Sequence, residues 1–313
     1  MPNMMRAVQF ERAGGPEVLQ IRSIPVPKLK ADQVLVRVHA TSVNPADVRF
    51  RRIRLGRFPR GTGMDFAGEI VEAGQGISDL KPGQRVWGYV FVGMGSIGAA
   101  ADYVVAKRDQ VAMAPAALDY LAAAALPTVG LTALQAIRDA LRLQAGQRLL
   151  VIGASGGVGS TAVQLGRAMG ASVTAVTSTR NADFCRELGA DAVIDYAEPL
   201  PGNQERKFDA LLDCHGASLP RYHRLLRRGG RGATVSFSAI SFMLRSWLLP
   251  GPGVRLVIVR SQRRDLDALA AYVGRGELRA VIDGVFPLTA IQNAHRAVES
   301  GHARGKRVID MSQ

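Results

Sequence analysis

The sequence predicts an α/β protein that joins a doubly wound parallel sheet to a second, β-rich domain. Short apolar runs punctuated by Gly and Pro fill residues 5–117, whereas strand-like and helix-like segments alternate beyond Pro127. Between Leu149 and Gly159, in LLVIGASGGVG, an apolar run breaks into a glycine-dense turn just ahead of a helical segment.

Taken in order, VLQI, QVLVRV, GEIVEAG, RVWGYV and ADYVVA read as strands of a compact β-rich domain. LTALQAIRDAL has helical spacing from near Leu131, LLVIG is a buried strand, and STAVQLGRAMG is the helix after the glycine turn. SVTAVTS, DAVIDY, DALLDCHG and GATVSFS then supply strands, separated by helices in NADFCRELG and RYHRLLRRGG. Ser238–Gly253 reads as an apolar loop, Val254–Val259 as an edge strand, Asp265–Arg275 as a helix, and the tail from Pro287 as helix then strand.

The chain has 313 residues, enough for two domains with real cores. Its two cysteines, Cys185 and Cys214, exclude a disulfide framework or a four-thiolate zinc lobe and fit a reducing, cytoplasmic setting. The N-terminus lacks the apolar core of a signal peptide, and Tyr120–Ile137 is too rich in Ala, Thr and Gly to read as a membrane span. A net charge of +14 invites an anionic partner, with Arg49, Arg51, Arg52, Arg54, Arg57 and Arg60 crowded into one segment. No nucleic-acid-binding signature accompanies them, and a solvated basic loop is preferred to a dedicated anion site.

The glycine turn is the chemical signal. Gly156, Gly157 and Gly159 let backbone N–H groups and a helix N-terminus approach a pyrophosphate, although the run lacks the first glycine of the usual G-x-G-x-x-G form. The next apolar run ends in Thr177, Ser178, Thr179 and Arg180, with no carboxylate where an NAD-binding chain carries one for the ribose 2′-hydroxyl. Hydroxyls and a cation suit a 2′-phosphate, so the pattern points to NADPH; the plainer alternative makes Arg180 a solvated surface residue.

On the motifs GGPEVLQ (14–20), VLVRVHATSVNPADVR (34–49), GMDFAGEIVEAG (63–74), ALPTVGLTA (125–133), GASGGVG (153–159), LGADAVIDY (188–196) and GHARGK (301–306), the whole chain resembles the medium-chain dehydrogenase/reductase superfamily. Within it the likeness is to the zinc-free quinone oxidoreductases. The resemblance implies a GroES-like catalytic domain over residues 1–122 and 262–313, and a Rossmann domain over 123–261. At the places where zinc-dependent members hold their catalytic metal, this chain has Asn44, Met64 and, nearby, Ala125, none of which suits zinc. The implied reaction is metal-free hydride transfer from NADPH to a quinone or to a C=C bond conjugated to a carbonyl.

Carried over residue by residue, the family pattern puts Asn44 and Thr128 beside the nicotinamide, and Ser155, Gly156, Gly157, Val158 and Gly159 along the coenzyme. Ser178, Arg180 and Tyr196 are expected around the adenosine phosphate, with His302, Ala303 and Arg304 reaching it from the tail. His215, Phe237, Val257 and Val259 complete the expected coenzyme contacts. Asp47 is either an acid or an orienter of Asn44, and Arg49, where many relatives have tyrosine, offers a cation for an anionic or carrier-bound acceptor. Plainer roles stay open: Asn44–Pro45 as a turn, Thr128 as a helix cap, Tyr196 as a strand-end aromatic. His39, His223 and His295 read as packed or surface residues, and an adjacent Cys214–His215 pair on a strand faces opposite ways. A competing reading is an NADPH-binding protein whose role is RNA or protein interaction; family likeness suggests a homodimer through the 254–259 edge.

Overall fold

The computed structural model of the chain describes residues 2–54, 56–92, 95–200, 207–216, 218–248, 253–301 and 303–313, with 247 and 248 described by backbone alone. The chain forms two compact units. The first comprises Met1–Thr128, Ser261–Gly274 and Ala280–Gln313, and the second Val129–Arg260 with Arg275–Arg279.

The first unit is β-rich. It begins with β1 (Met4–Phe10), β2 (Gln20–Pro25), β3 (Gln33–Val43), α1 (Pro45–Arg52), β4 (Arg60–Gly61), β5 (Asp65–Ala73), β6 (Arg85–Tyr89), β7 (Tyr103–Lys107), β8 (Val111–Met113) and α2 (Tyr120–Ala124). α3 (Pro127–Gln135) carries the chain from the first unit into the second, starting at the proline rather than near Leu131, since a proline in a first helical turn forfeits no hydrogen bond.

The second unit runs β9 (Arg148–Ile152), α4 (Gly157–Ala168), β10 (Ser172–Thr177), α5 (Ala182–Glu187), β11 (Ala192–Asp195), β12 (Phe208–Asp213), α6 (Leu219–His223), β13 (Leu226–Thr234), α7 (Ile240–Leu248) and β14 (Val254–Leu256). The chain then returns to the first unit with α8 (Arg263–Gly274), β15 (Ile282–Pro287), α9 (Ile291–Glu299) and β16 (Lys306–Asp310).

In the first unit the main sheet is ordered β15-β16-β3-β5-β6-β8, with β7 also on β3, while β2-β1-β4 form a smaller sheet. β3 is the longest strand, and it pairs with β16 at one end and β7 at the other. Val34, Val36, Phe66, Ile70 and Val86 bury the apolar face of this sheet together with Leu288 and Ile291. The second unit holds the parallel sheet β11-β10-β9-β12-β13-β14, the doubly wound order expected of strand-helix alternation. Its core includes Leu150, Ile152, Val176, Leu211, Tyr222 and Val254.

Three local expectations are corrected. RYHRLLRRGG is not one helix: α6 stops at His223 and β13 begins at Leu226. The pairing jumps from Phe208↔Leu226 to Ala210↔Arg231, so Arg227–Gly230 bulge out, with Gly229 at φ +75°. Ser238–Gly253 is not a loop throughout, because α7 buries Phe242 and Met243 against the core while Leu244 faces solvent. The edge strand expected over 254–259 is only the three residues of β14.

Candidate functional site

In the first unit Asp65, at the start of β5, is fully buried and gathers donors from four elements. Its carboxylate accepts from Ser42 Oγ (2.5 Å), Asn44 Nδ2 (2.9 Å), the Thr128 N–H (2.6 Å) and Lys306 Nζ (3.3 Å). A buried carboxylate persists only when so satisfied. Lys306 also donates to Asn44 Oδ1 and to the Val43 carbonyl. Asn44 and Thr128 are therefore brought to one place. The cap of α3 is supplied by Asp65 rather than by Thr128.

Asp47 lies just inside α1 and is buried too. It accepts from the Asn44 N–H (2.8 Å), the Gly63 N–H (2.9 Å) and Thr62 Oγ1 (3.3 Å). Burial raises its pKa, against the pull of those N–H groups and of Lys306. With every contact aimed at backbone and at Thr62, Asp47 orients the start of α1. Tyr89, whose β6 position pairs with Asp65, likewise has its hydroxyl pushed up by burial and by the charges of Asp65 and Asp47.

The arginine cluster is not one patch. Arg51 is fully buried, donating to the Gly14 carbonyl, to His295 Nδ1 (2.9 Å) and to Glu299. Arg60 is buried against the carbonyls of Arg57, Phe50 and Ile53 and over the Phe58 ring. Arg49 is exposed on α1. His295 is packed as expected but not idle: because Arg51 can only donate, Nδ1 accepts and Nε2–H points to Thr62 Oγ1 at 3.5 Å.

In the second unit the glycine turn begins one residue earlier than the motif suggests. Gly153 takes φ +73°, supplying the tight turn for which the sequence showed no first glycine. Gly159 packs so closely that a Cβ there would stand 2.1 Å from the Gly153 carbonyl oxygen. Gly156 heads α4 with no side-chain cap, so the N–H groups of Gly157, Val158 and Gly159 open the helix. Ser155 Oγ accepts from Asn181 Nδ2 at 3.1 Å. These features fit a bound pyrophosphate, because bare donors and the helix dipole converge where no side chain intervenes.

At the end of β10, Ser178 is half-buried and Arg180 exposed. No acid directly follows β10 in the chain itself, but one reaches Thr179 from the neighbouring strand. Asp195 comes from β11 and accepts from the Thr179 N–H (2.8 Å), the Thr179 hydroxyl and the Ala197 N–H (2.8 Å), and the Thr179 hydroxyl bond holds its pKa below the usual range. With Thr177 buried and Thr179 so engaged, the hydroxyl-and-cation set narrows to Ser178 and Arg180. Tyr196 is half exposed, and Arg221 donates to its carbonyl at 2.7 Å and to that of Glu198.

Cys214 and His215 lie past the end of β12, so the strand argument against their pairing does not apply. The reactive reading still fails on chemistry: burial and the Asp213 charge push the Cys214 thiol well up. The Cβ atoms of both flank Gly153, and Asp213 accepts from the His215 and Gly216 N–H groups. Phe237 is exposed at a short turn, Val257 donates its N–H to the Thr234 carbonyl (2.8 Å), and Val259 lies beyond β14. From the tail, Arg304 is exposed in the first unit and Ala303 half-buried, while His302 lies outside the described residues. Sequence reasoning missed Asp65 and Lys306, although both stand inside quoted motifs; a charge flanked by Met64 and Phe66 in a strand was the available sign.

Among the described residues no group of three or more His, Cys, Asp or Glu is placed to hold a metal ion, and no helix is long and apolar enough to cross a membrane. Asn44, at the first zinc-ligand place, instead carries the Lys306 ammonium.

Residues 30–116 match the alcohol dehydrogenase GroES-like domain family and residues 188–309 the zinc-binding dehydrogenase family. The chain is 33% identical to the trans-enoyl reductase pgmF of Aspergillus terreus, covering 100% of this chain and 98% of that protein. It is 32% identical to the chloroplastic NADPH-dependent alkenal/one oxidoreductase of Arabidopsis thaliana, over 99% of this chain and 80% of that one. Among solved structures, the quinone oxidoreductase from Coxiella burnetii superposes with a TM-score of 0.91 at 30% identity, covering 98% of this chain and 99% of that one.

Proposed function

The chain belongs to the medium-chain dehydrogenase/reductase superfamily, and on that footing we propose that it is an NADPH-dependent reductase of quinones or of C=C bonds conjugated to a carbonyl, working without a metal. It is an oxidoreductase with a Rossmann-type dinucleotide-binding domain. The observation that carries the finer reading is the pairing of an uncapped helix N-terminus at Gly156–Gly159 with Ser178 and Arg180 at the end of the next strand. The first suits a pyrophosphate and the second a 2′-phosphate.

When bound, the dihydronicotinamide supplies a hydride. An acceptor taking that hydride at the carbon β to its carbonyl would carry the displaced C=C electron pair as an enolate, which water would protonate at the α carbon. The chain's own task is to hold the acceptor oxygen as negative charge grows on it. Asn44 Nδ2 carries a second hydrogen beyond the one given to Asp65, and we assign it to that oxygen. A catalytic metal does not fit the donor set: Asn44 already accepts from an ammonium, and Met64 and Ala125 offer no thiolate or imidazole. The alkenal/one reductase and quinone oxidoreductase relatives support this acceptor class.

Arg180→Ala tests the coenzyme assignment. Losing a charge-assisted contact weakens NADPH binding roughly ten- to a hundredfold and leaves NADH within about twofold. Equal losses for both coenzymes reject it. Turnover of NADPH with a panel of quinones, enones and enoyl thioesters tests the reaction, and silence across the panel overturns it.

A further inference from the structure

We propose that Lys306 is a positioning residue that acts through Asn44, orienting and polarising its amide so that the free Nδ2 hydrogen becomes a stronger donor to the acceptor oxygen. The idea rests on the acceptor class and the Asn44 role proposed above. Its grounds are geometric. Lys306 opens β16 with its side chain 5% exposed, and its ammonium reaches Asn44 Oδ1 and Asp65. Asn44 Nδ2 donates to the same Asp65 oxygen at 2.9 Å.

That arrangement admits one amide orientation. A flipped Asn44 would set its NH2 against the ammonium and its carbonyl oxygen against the carboxylate. With Oδ1 held by a cation, amide resonance shifts electron density from nitrogen to oxygen, and the remaining N–H becomes more acidic. Charge acts in the same direction. Asp65 and Asp47 are both buried here, and an enolate forming beside two carboxylates alone would be repelled. The ammonium offsets one of them.

The test uses the whole protein with asparagine labelled by nitrogen-15, free of coenzyme, and the Asn44 side-chain resonance assigned by its loss in Asn44→Ala. Lys306→Met moves that resonance upfield if the ammonium polarises the amide, and an unmoved resonance overturns the proposal. In steady-state assays with NADPH and an enone, Lys306→Met lowers kcat roughly ten- to a hundredfold, while the Kd for NADPH, read by fluorescence, stays within about twofold. An unchanged kcat overturns it. Lys306→Met leaves Asp65 without its cation and can fail to fold, so the double variant Lys306→Met/Asp65→Asn removes both charges. Measured against Asp65→Asn alone, the double variant turns over at least about tenfold more slowly if Lys306 acts on the reaction, and equal kcat values for the two overturn the proposal. Should the parent protein reduce no acceptor at all, the proposed function fails instead, and the amide shift alone then decides whether Lys306 polarises Asn44.

Discussion

Gly156 and Gly159 stand three residues apart in one turn and tolerate a methyl group very differently. At Gly159 a Cβ would meet the Gly153 carbonyl oxygen at 2.1 Å, whereas at Gly156 the nearest atom, that same oxygen, is 3.5 Å away and φ is an ordinary −75°. Gly159→Ala is thus expected to destabilise the second unit by roughly 1–3 kcal/mol, read as a lowered urea midpoint. Gly156→Ala should leave that midpoint nearly unchanged and weaken NADPH binding, because its methyl stands where the pyrophosphate is proposed to pass. Loss of stability without loss of binding at Gly156 would reject that passage. The glycines were legible because their spacing states a backbone requirement. Asp65 and Lys306 were not, since a lone acid and a lone lysine acquire meaning only when β5 and β16 bring them together across 241 residues.

α1 and α9 are joined by polar groups buried between them. Arg51 from α1 meets His295 and Glu299 from α9, and Arg52 adds a second, exposed contact to Glu299. Arg51→Met would leave Glu299 only its exposed contact to Arg52 and His295 Nδ1 without its donor, at a cost on the order of 1–3 kcal/mol. Glu299→Gln, which keeps an acceptor for the guanidinium, should cost less, and equal urea midpoints for the two variants would contradict this. Elements with a strong period, such as β9, α4 and β10, could be read directly from the sequence. β13 could not, because its bulge at Arg227–Gly230 mimics the polar end of a helix. Nor could α7, because the Pro250, Gly251, Pro252 and Gly253 that follow it in the sequence are residue types that signal a turn and mask the helical pattern before them.

At the scale of the whole molecule, acid should unfold the protein partly through His295. Burial and the Arg51 charge hold its pKa down to about 3, against about 6.5 in an unfolded chain. Below about pH 6.5 the unfolded state takes up a proton that the fold refuses. Stability from this group is therefore complete above about 6.5 and declines toward about 3, at up to about 1.4 kcal/mol per pH unit. Asp47 runs the other way: its folded pKa is raised, so its contribution is present in acid and lost as pH rises. His295→Gln should flatten the fall in urea midpoint between about pH 6.5 and 4, and an unaltered slope would acquit the histidine. The net charge of +14 was plain in the sequence, but its division into buried struts such as Arg51 and exposed residues such as Arg49 was not.

The position of β16 has a consequence for biosynthesis. The strand lies between β15 and β3, and it delivers Lys306 to a carboxylate made 241 residues earlier. A nascent chain emerging from the ribosome can complete its parallel sheet once residue 256 is out, long before the earlier-made β3 receives its neighbour. Of these two sheets the one begun earlier is finished later, and until then residues 40–43 of β3 offer an open flank to any chaperone or stray polypeptide that reaches them.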